Sequence, residues 1–183
     1  MLPRCTTESP PERRSASALV DMMGDGRRVV VLGRGGAGKS ALARQLGEVT
    51  GLPVIELDTL FWRPGPTAAD PVQWAECQRE LVLREAWILD GDLGPYDSAL
   101  DVRLRAADTV IVLDFTFLRC AWRTVLRGRE RADYWRWVWT YRRRGLPKVM
   151  QAIRQGAPHA RLYLLRNPRA VRRFATSVAA PPA

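Results

Sequence analysis

Lys39 and Ser40 close the run Gly33-Arg34-Gly35-Gly36-Ala37-Gly38-Lys39-Ser40, which fits Gly-x-x-x-x-Gly-Lys-Ser. That spacing supports one kind of chemistry, the grip of a polyphosphate. Glycines at 33, 35, 36 and 38 open backbone conformations closed to other residues and leave no side chain in the way. The amides of Gly33, Gly35, Gly36, Ala37, Gly38, Lys39, Ser40 and Ala41 can then surround an anion. Lys39 reaches the β- and γ-phosphates, and the Ser40 hydroxyl ligates Mg²⁺.

Acids supply the second group. Glu56 and Asp58 lie two apart at the end of the apolar run Val54-Ile55-Glu56-Leu57-Asp58, so on one strand they point to the same side. The carboxyl ends of such strands are where open α/β sheets bind ligands. Asp58 is placed to orient an acceptor hydroxyl or take its proton, and Glu56 to hold a water of the Mg²⁺ shell. Asp90 ends Trp87-Ile88-Leu89-Asp90 in the same way, as a metal-side residue or an acceptor contact. Gly91 allows close approach of a ligand and Asp92 follows it. Trp62 and Arg103 complete the candidate acceptor contacts with Asp58, Gly91 and Asp92. Asp114 is expected to cap a helix near Thr116.

Cations supply the third. Arg119, Arg123 and Arg127 recur every four residues and share a helix face, with Arg129 and Arg131 just beyond. Phosphoryl transfer spreads negative charge over the equatorial oxygens, which cations on a closing segment would neutralise. Arg123 and Arg127 are the candidates for that role, on a lid of about 123–145. Within it, Tyr134, Trp137, Val138 and Tyr141 form one helical stripe, expected to pack on the body or wall the acceptor pocket.

These residues need elements to hold them. Val29-Val30-Val31-Leu32 reads as a buried strand and 41–48 as a helix. Further strands are expected at 54–58, 87–90, 109–114 and 160–165. Helices are expected from Pro71 to about Glu85, over 97–106, from Phe117 to about Arg127, over 133–144 and 147–155, and from Pro168 to about Thr176. Residues 59–71 read as a loop. Strands alternating with helices give an α/β fold, a five-stranded parallel sheet covered on both faces. Residues 1–26 read as a disordered leader, 27–176 as one domain and 177–183 as a frayed tail.

Composition narrows the function. The 183 residues carry a net charge of +10 with 29 Lys and Arg, which favours anionic partners. Cys5, Cys77 and Cys120 are odd in number and widely spaced, as suits a reducing cytoplasm. His159 is the only histidine, which argues against chemistry built on a histidine base. No apolar run approaches the roughly 20 residues of a membrane span.

Gly33–Ser40, then Leu-Pro-Val-Ile-Glu-Leu-Asp-Thr-Leu-Phe-Trp-Arg-Pro-Gly (52–65), Trp-Ile-Leu-Asp-Gly-Asp-Leu-Gly (87–94) and Leu-Arg-Ala-Ala-Asp-Thr-Val-Ile-Val-Leu-Asp-Phe (104–115) together resemble the adenylate-kinase-like topology modulation proteins. These belong to the P-loop nucleoside-phosphate and shikimate kinase group. The resemblance runs from about Val29 to Trp122 and more loosely to Phe174. It implies the P-loop three-layer sandwich, the sheet order 2-3-1-4-5 and a mobile helical lid. It makes Asp58 the acid facing the acceptor hydroxyl, Glu56 its metal-side neighbour and Asp90 the magnesium-side aspartate. It also places the loop after the last strand beside the nucleotide base, which makes Arg169 a stacking candidate.

The resulting expectation is a cytoplasmic, Mg²⁺-dependent phosphotransferase. It would move the γ-phosphate of ATP or GTP to a hydroxyl of a nucleoside, nucleotide or nucleoside-like natural product. A nucleotide-gated DNA- or RNA-binding protein, drawn from the charge and the Trp-Arg segment, is the alternative, with a regulatory NTPase-like module behind it. The acceptor, the choice of ATP or GTP and the oligomeric state are left open.

Overall fold

The structure is a computed structural model, described for residues 26–63, 67–126 and 132–179. Arg127, Arg129 and Arg131, residues 64–66, residues 1–25 of the expected leader and the last four residues lie outside these ranges.

The described chain begins with β1 (Arg28–Gly33), the glycine loop and α1 (Lys39–Thr50). Next come β2 (Val54–Glu56), the short α2 (Leu57–Phe61) and the strands β3 (Trp62–Arg63) and β4 (Thr67–Ala68). Then follow α3 (Pro71–Val82), β5 (Trp87–Asp90), a 3₁₀ turn (Gly94–Tyr96), α4 (Leu100–Ala106), β6 (Thr109–Leu113) and α5 (Phe117–Val125). The C-terminal part holds α6 (Ala132–Thr140), a π turn (Tyr141–Gly145), α7 (Leu146–Gly156), β7 (Arg161–Leu165) and α8 (Pro168–Ala179).

The sheet runs β2-β5-β1-β6-β7, every neighbouring pair parallel. Counting only these five strands, the order is the expected 2-3-1-4-5; β3 and β4 stand apart as an antiparallel hairpin. Side chains of β1 alternate between two cores, as strand geometry requires. Val29 and Val31 pack with Leu42, Leu46 and Phe174 on one face, and Val30 and Leu32 with Trp74, Leu104 and Val149 on the other. Burial on both faces is what lets β-branched, wholly apolar strands serve here.

Local signals set the helix starts. Asp70 caps α3, its carboxylate accepting from the amides of Val72 and Gln73, with Pro71 at the first turn. Asn167 does the same for α8 through Ala170 N. Asp114 does not cap α5: no side-chain cap is formed at Thr116, and Asp114 instead faces Arg142 at 3.6 Å.

Three expectations change. The second strand stops at Glu56, because the chain turns into α2 there, with Leu57 buried and the Thr59 hydroxyl bonded to the Glu56 carbonyl. Glu56 and Asp58 are therefore not alternate residues of one strand. The 59–71 loop contains the end of α2 and the hairpin. The helices at 133–144 and 147–155 are one helical path, its two parts joined through the π turn. Among the described residues no helix is long and apolar enough to cross a membrane.

Candidate active site

The strand order reverses at β1, and the glycine loop leaves the carboxyl end of that strand, where such sheets place ligands. Gly36 has φ 76°, and a Cβ there would stand 2.5 Å from the Cys120 carbonyl. Gly35 is crowded from the other side. A Cβ on it would lie 1.9 Å from the Tyr134 hydroxyl. The loop is thus held between α5 and α6 by contacts that only hydrogen permits. α1 starts at Lys39 with no side-chain cap, so its first-turn amides meet the cavity without a side-chain partner. The Lys39 ammonium bonds back to the Arg34 carbonyl at 3.5 Å.

The acids occupy three different environments. Asp90 is 3% exposed, lies near the Ser40 hydroxyl, and its Oδ1 has no partner. Burial raises its pKa above the ordinary carboxylate range, with Asp58 and Glu56 adding to the rise and Lys39 and Ser40 opposing it. Glu56, the register neighbour of Asp90, pairs with Arg44 at 3.2 Å on the surface. Asp58 is exposed at the first turn of α2. A buried, unsatisfied carboxylate oxygen beside a serine hydroxyl at a glycine loop fits Mg²⁺. Among the described residues no group of three or more His, Cys, Asp or Glu could hold a metal. The ion would therefore take phosphate oxygens and water, with Ser40 and Asp90 on the protein side.

A cavity of about 1460 Å³ opens on the loop. Gly35, Gly36, Gly38, Lys39 and Ser40 line it at one end, and Asp58 shares it. Trp62 and Tyr96 stand edge to face at 5.4 Å on one wall. Tyr134, Trp137 and Tyr141 also line it, so the aromatic stripe both packs and lines the cavity. A second hollow of about 150 Å³, on the other side of the loop, is lined by Ala37, Gly38, Ala41, Arg123, Pro168 and Arg172. Arg169 is exposed and lines neither hollow; Arg172, one helical turn on, lines the smaller one.

Several candidate residues stand behind these walls. Gly33 ends β1 with its amide bonded to Asp92, and the Gly91 carbonyl accepts from Arg103 at 3.2 Å. Arg103 is not an acceptor contact: it is fully buried and paired with Asp97 at 2.5 Å, so it braces the 91–97 turn from beneath. Asp92 lines the cavity with both oxygens engaged. It accepts from Gly33 N at 3.2 Å, Gly94 N at 3.1 Å and the Tyr141 hydroxyl at 2.7 Å. Burial, reinforced by the Asp92 carboxylate, pushes the Tyr141 phenol far above its ordinary range, so it donates at every physiological pH. Arg34 lies against the Tyr141 ring at 5.5 Å, almost wholly buried, with Nε and Nη1 unpaired. This knot of Asp92, Tyr141 and Arg34 ties the π turn to the loop. Only the Tyr141 stripe hinted at it in the sequence; Arg34 occupies a position the loop motif leaves free.

No protein-family model matches the chain. No curated protein matches it in sequence. Solved structures do match in fold. A shikimate kinase from Acinetobacter baumannii in complex with shikimate aligns with TM-score 0.59 and 19% identity, over 82% of this chain and 89% of that one. A gluconokinase from Sinorhizobium meliloti aligns with TM-score 0.53 and 20% identity, over 82% and 90%. An unliganded sugar kinase from Janibacter sp. aligns with TM-score 0.52 and 21% identity, over 85% and 99%. The chain has the fold of these P-loop small-molecule kinases.

Proposed function

We propose that this protein is a P-loop phosphotransferase that moves the γ-phosphate of ATP or GTP to a hydroxyl of a small molecule. One observation carries the reading: Lys39 and Asp58 line the same cavity. The fold likeness to kinases of shikimate, gluconate and other sugars supports the reaction class.

When bound, Mg²⁺ and the triphosphate supply an activated phosphorus whose charge is partly neutralised. The loop amides and Lys39 hold the β- and γ-phosphates. Ser40 and Asp90 hold the metal. Asp58 orients the acceptor hydroxyl and accepts its proton as the new O–P bond forms; the bond to the β,γ-bridging oxygen breaks and the nucleoside diphosphate leaves. Arg123, whose guanidinium lies 3.0 Å from where a Gly38 Cβ would stand, faces the phosphates from α5 and neutralises the transferred charge. The base sits in the smaller hollow beside Arg172. The segment from α6 through the π turn serves as the lid, closing over the acceptor and excluding water.

Transfer of label from γ-labelled ATP or GTP to a component of a metabolite extract, abolished by Lys39→Ala, is the expected result. No transfer to any small molecule, with Lys39→Ala indistinguishable from wild type, rejects the enzyme reading. The nucleic-acid reading stands second because Tyr134, Trp137 and Tyr141 line the cavity instead of an outer stacking surface. Binding to single-stranded DNA that falls steeply with salt would revive it.

A further inference from the structure

The helix α5 turns its most apolar side to solvent. Its buried residues are Cys120 and Thr124, and the Cys120 carbonyl backs the glycine loop at Gly36. Leu118 is 79% exposed and Trp122 67%, and Val125 and Leu126 beyond them are exposed as well. Residues spaced i, i+4, i+7 and i+8 share one face of a helix, the stripe that a globular protein ordinarily presses on its core. Trp139 of α6, 64% exposed, stands edge to face on Phe117 at 4.7 Å and carries the patch onto a second helix. Singly exposed apolar residues are ordinary; several large ones gathered on one face mark a surface that something covers.

Charge says what that is. Residues 134–183 hold eleven Lys and Arg and no Asp or Glu, while residues 1–133 hold 18 Lys and Arg against 19 Asp and Glu. The net charge of +10 therefore arises wholly from the C-terminal part of the chain. That part borders the patch. Arg142 and Arg143, both exposed, follow Trp139 by three and four residues, and Arg142 reaches Asp114 just ahead of α5. On the other flank Arg119 is exposed and takes the next position round the helix from Leu126. The apolar face is thus rimmed by arginine.

A second copy of the chain fits poorly. Pairing α5 with itself would bring two strongly basic chains together, and a nine-residue helix with one added Trp falls short of the roughly 800 Å² per partner of a stable complex. Nucleic acid would use the arginines and the Trp rings but has no use for Leu118, Val125 and Leu126. An anionic lipid surface uses all of them. We infer that α5 and Trp139 form a docking face for the surface of an anionic lipid bilayer. Leu118, Trp122, Val125, Leu126 and Trp139 enter the boundary between headgroups and acyl chains, and Arg119 and Arg143 meet lipid phosphates. The attachment is peripheral. It does not depend on phosphoryl transfer; where both hold, the glycine loop lies one helix away from the membrane surface.

The test is partition of the full chain onto vesicles, followed by co-sedimentation and Trp emission. Mixed phosphatidylcholine–phosphatidylglycerol vesicles should bind the protein at least about tenfold more strongly than pure phosphatidylcholine, with a blue shift in emission and a fall as salt is raised. The Leu118→Gln/Trp122→Gln/Leu126→Gln triple variant should lose about tenfold or more of that partition. All three side chains are exposed, and an unchanged melting temperature and unchanged affinity for an Mg²⁺–ATP analogue verify the fold. Should the triple variant not fold, Leu118→Gln alone should still weaken partition about threefold or more. No binding to the mixed vesicles, equal binding to both kinds, or full binding by the substituted chains would each overturn the inference. So would a dimer seen by sedimentation, or binding to single-stranded DNA, that the same substitutions abolish: a second copy or a nucleic acid would then cover the face. Absence of kinase activity leaves the inference standing, because the readout is partition.

Discussion

At the loop end of the cavity the working atoms belong to the backbone; elsewhere in its lining they belong to side chains. The loop end is made of glycine amides, an uncapped helix start and one lysine, and its shape is enforced by contacts such as Tyr134 on Gly35 that leave room for hydrogen alone. The rest of the cavity's lining includes Trp62, Tyr96, Arg144 and Lys148, which reach it from the hairpin, the 3₁₀ turn and the π-turn helix. A backbone site admits few solutions and serves a constant ligand. A side-chain site can change its ligand without disturbing the fold. The two are joined by Asp92, which bonds the Gly33 amide with the same oxygen that receives Tyr141.

This contrast can be broken by experiment. Lys39→Ala should lower phosphoryl transfer by about a thousandfold, and Asp58→Asn by about a hundredfold or more, with melting temperatures near wild type. A large loss of stability with little loss of rate would mean that both residues are structural. Tyr141→Phe removes the 2.7 Å bond to Asp92. It should destabilise by about 2 kcal/mol, a fall of roughly 4–8 °C in melting temperature. Gly35→Ala should cost about 1–2 kcal/mol through the collision with Tyr134, and Tyr134→Ala in the same chain should recover most of it. Simple additivity of the two would show that the loop and α6 are not in register.

Asp90 gives a pH test. Its raised pKa means the folded chain holds this proton to higher pH than the unfolded chain does, so the ligand-free protein loses stability as pH rises through its titration. Mg²⁺ needs the carboxylate, so affinity for the Mg²⁺–nucleotide complex should rise with pH over the same range. Asp90→Asn should flatten both trends and stabilise the ligand-free fold by about 1 kcal/mol, while weakening Mg²⁺-dependent binding. The smallest effect is the sharpest for the base side: Arg172→Ala should weaken nucleotide binding about two- to fivefold, while Arg169→Ala should leave it unchanged.

The fold and the glycine loop were legible for the same reason. Val29–Leu32, Trp87–Asp90 and Thr109–Leu113 are apolar runs bounded by turn residues, and their burial follows from their own composition. The loop motif is contiguous, so sequence adjacency is spatial adjacency. The acceptor side lacked that property. Arg103 reads as a free cation until the fold buries it against Asp97, six residues away, and the carbonyl of Gly91. Glu56 reads as a strand-end acid until Arg44 of α1 comes alongside it. Arg172 and Arg169 differ only by which side of a helical turn they take, a choice made by the packing of α8 on β7 and α1. Asp58 lines the cavity from a different local element than the strand expected: α2 brings it there, with Leu57 anchoring the turn in the core.

The π turn at 141–145 has a consequence for descent. A turn closed from i to i+5 accommodates one residue beyond an ordinary α-helix, and here both flanks remain packed, with Val138 and Tyr141 seated on one side and Val149 and Ile153 on the other. Loss of a single codon in this stretch would convert it to regular helix while leaving those anchors in phase. Arg142, Arg143 and Arg144 would be redistributed around the helix. The segment is a place where a lineage can rearrange the charge of one helix face in a single genetic step.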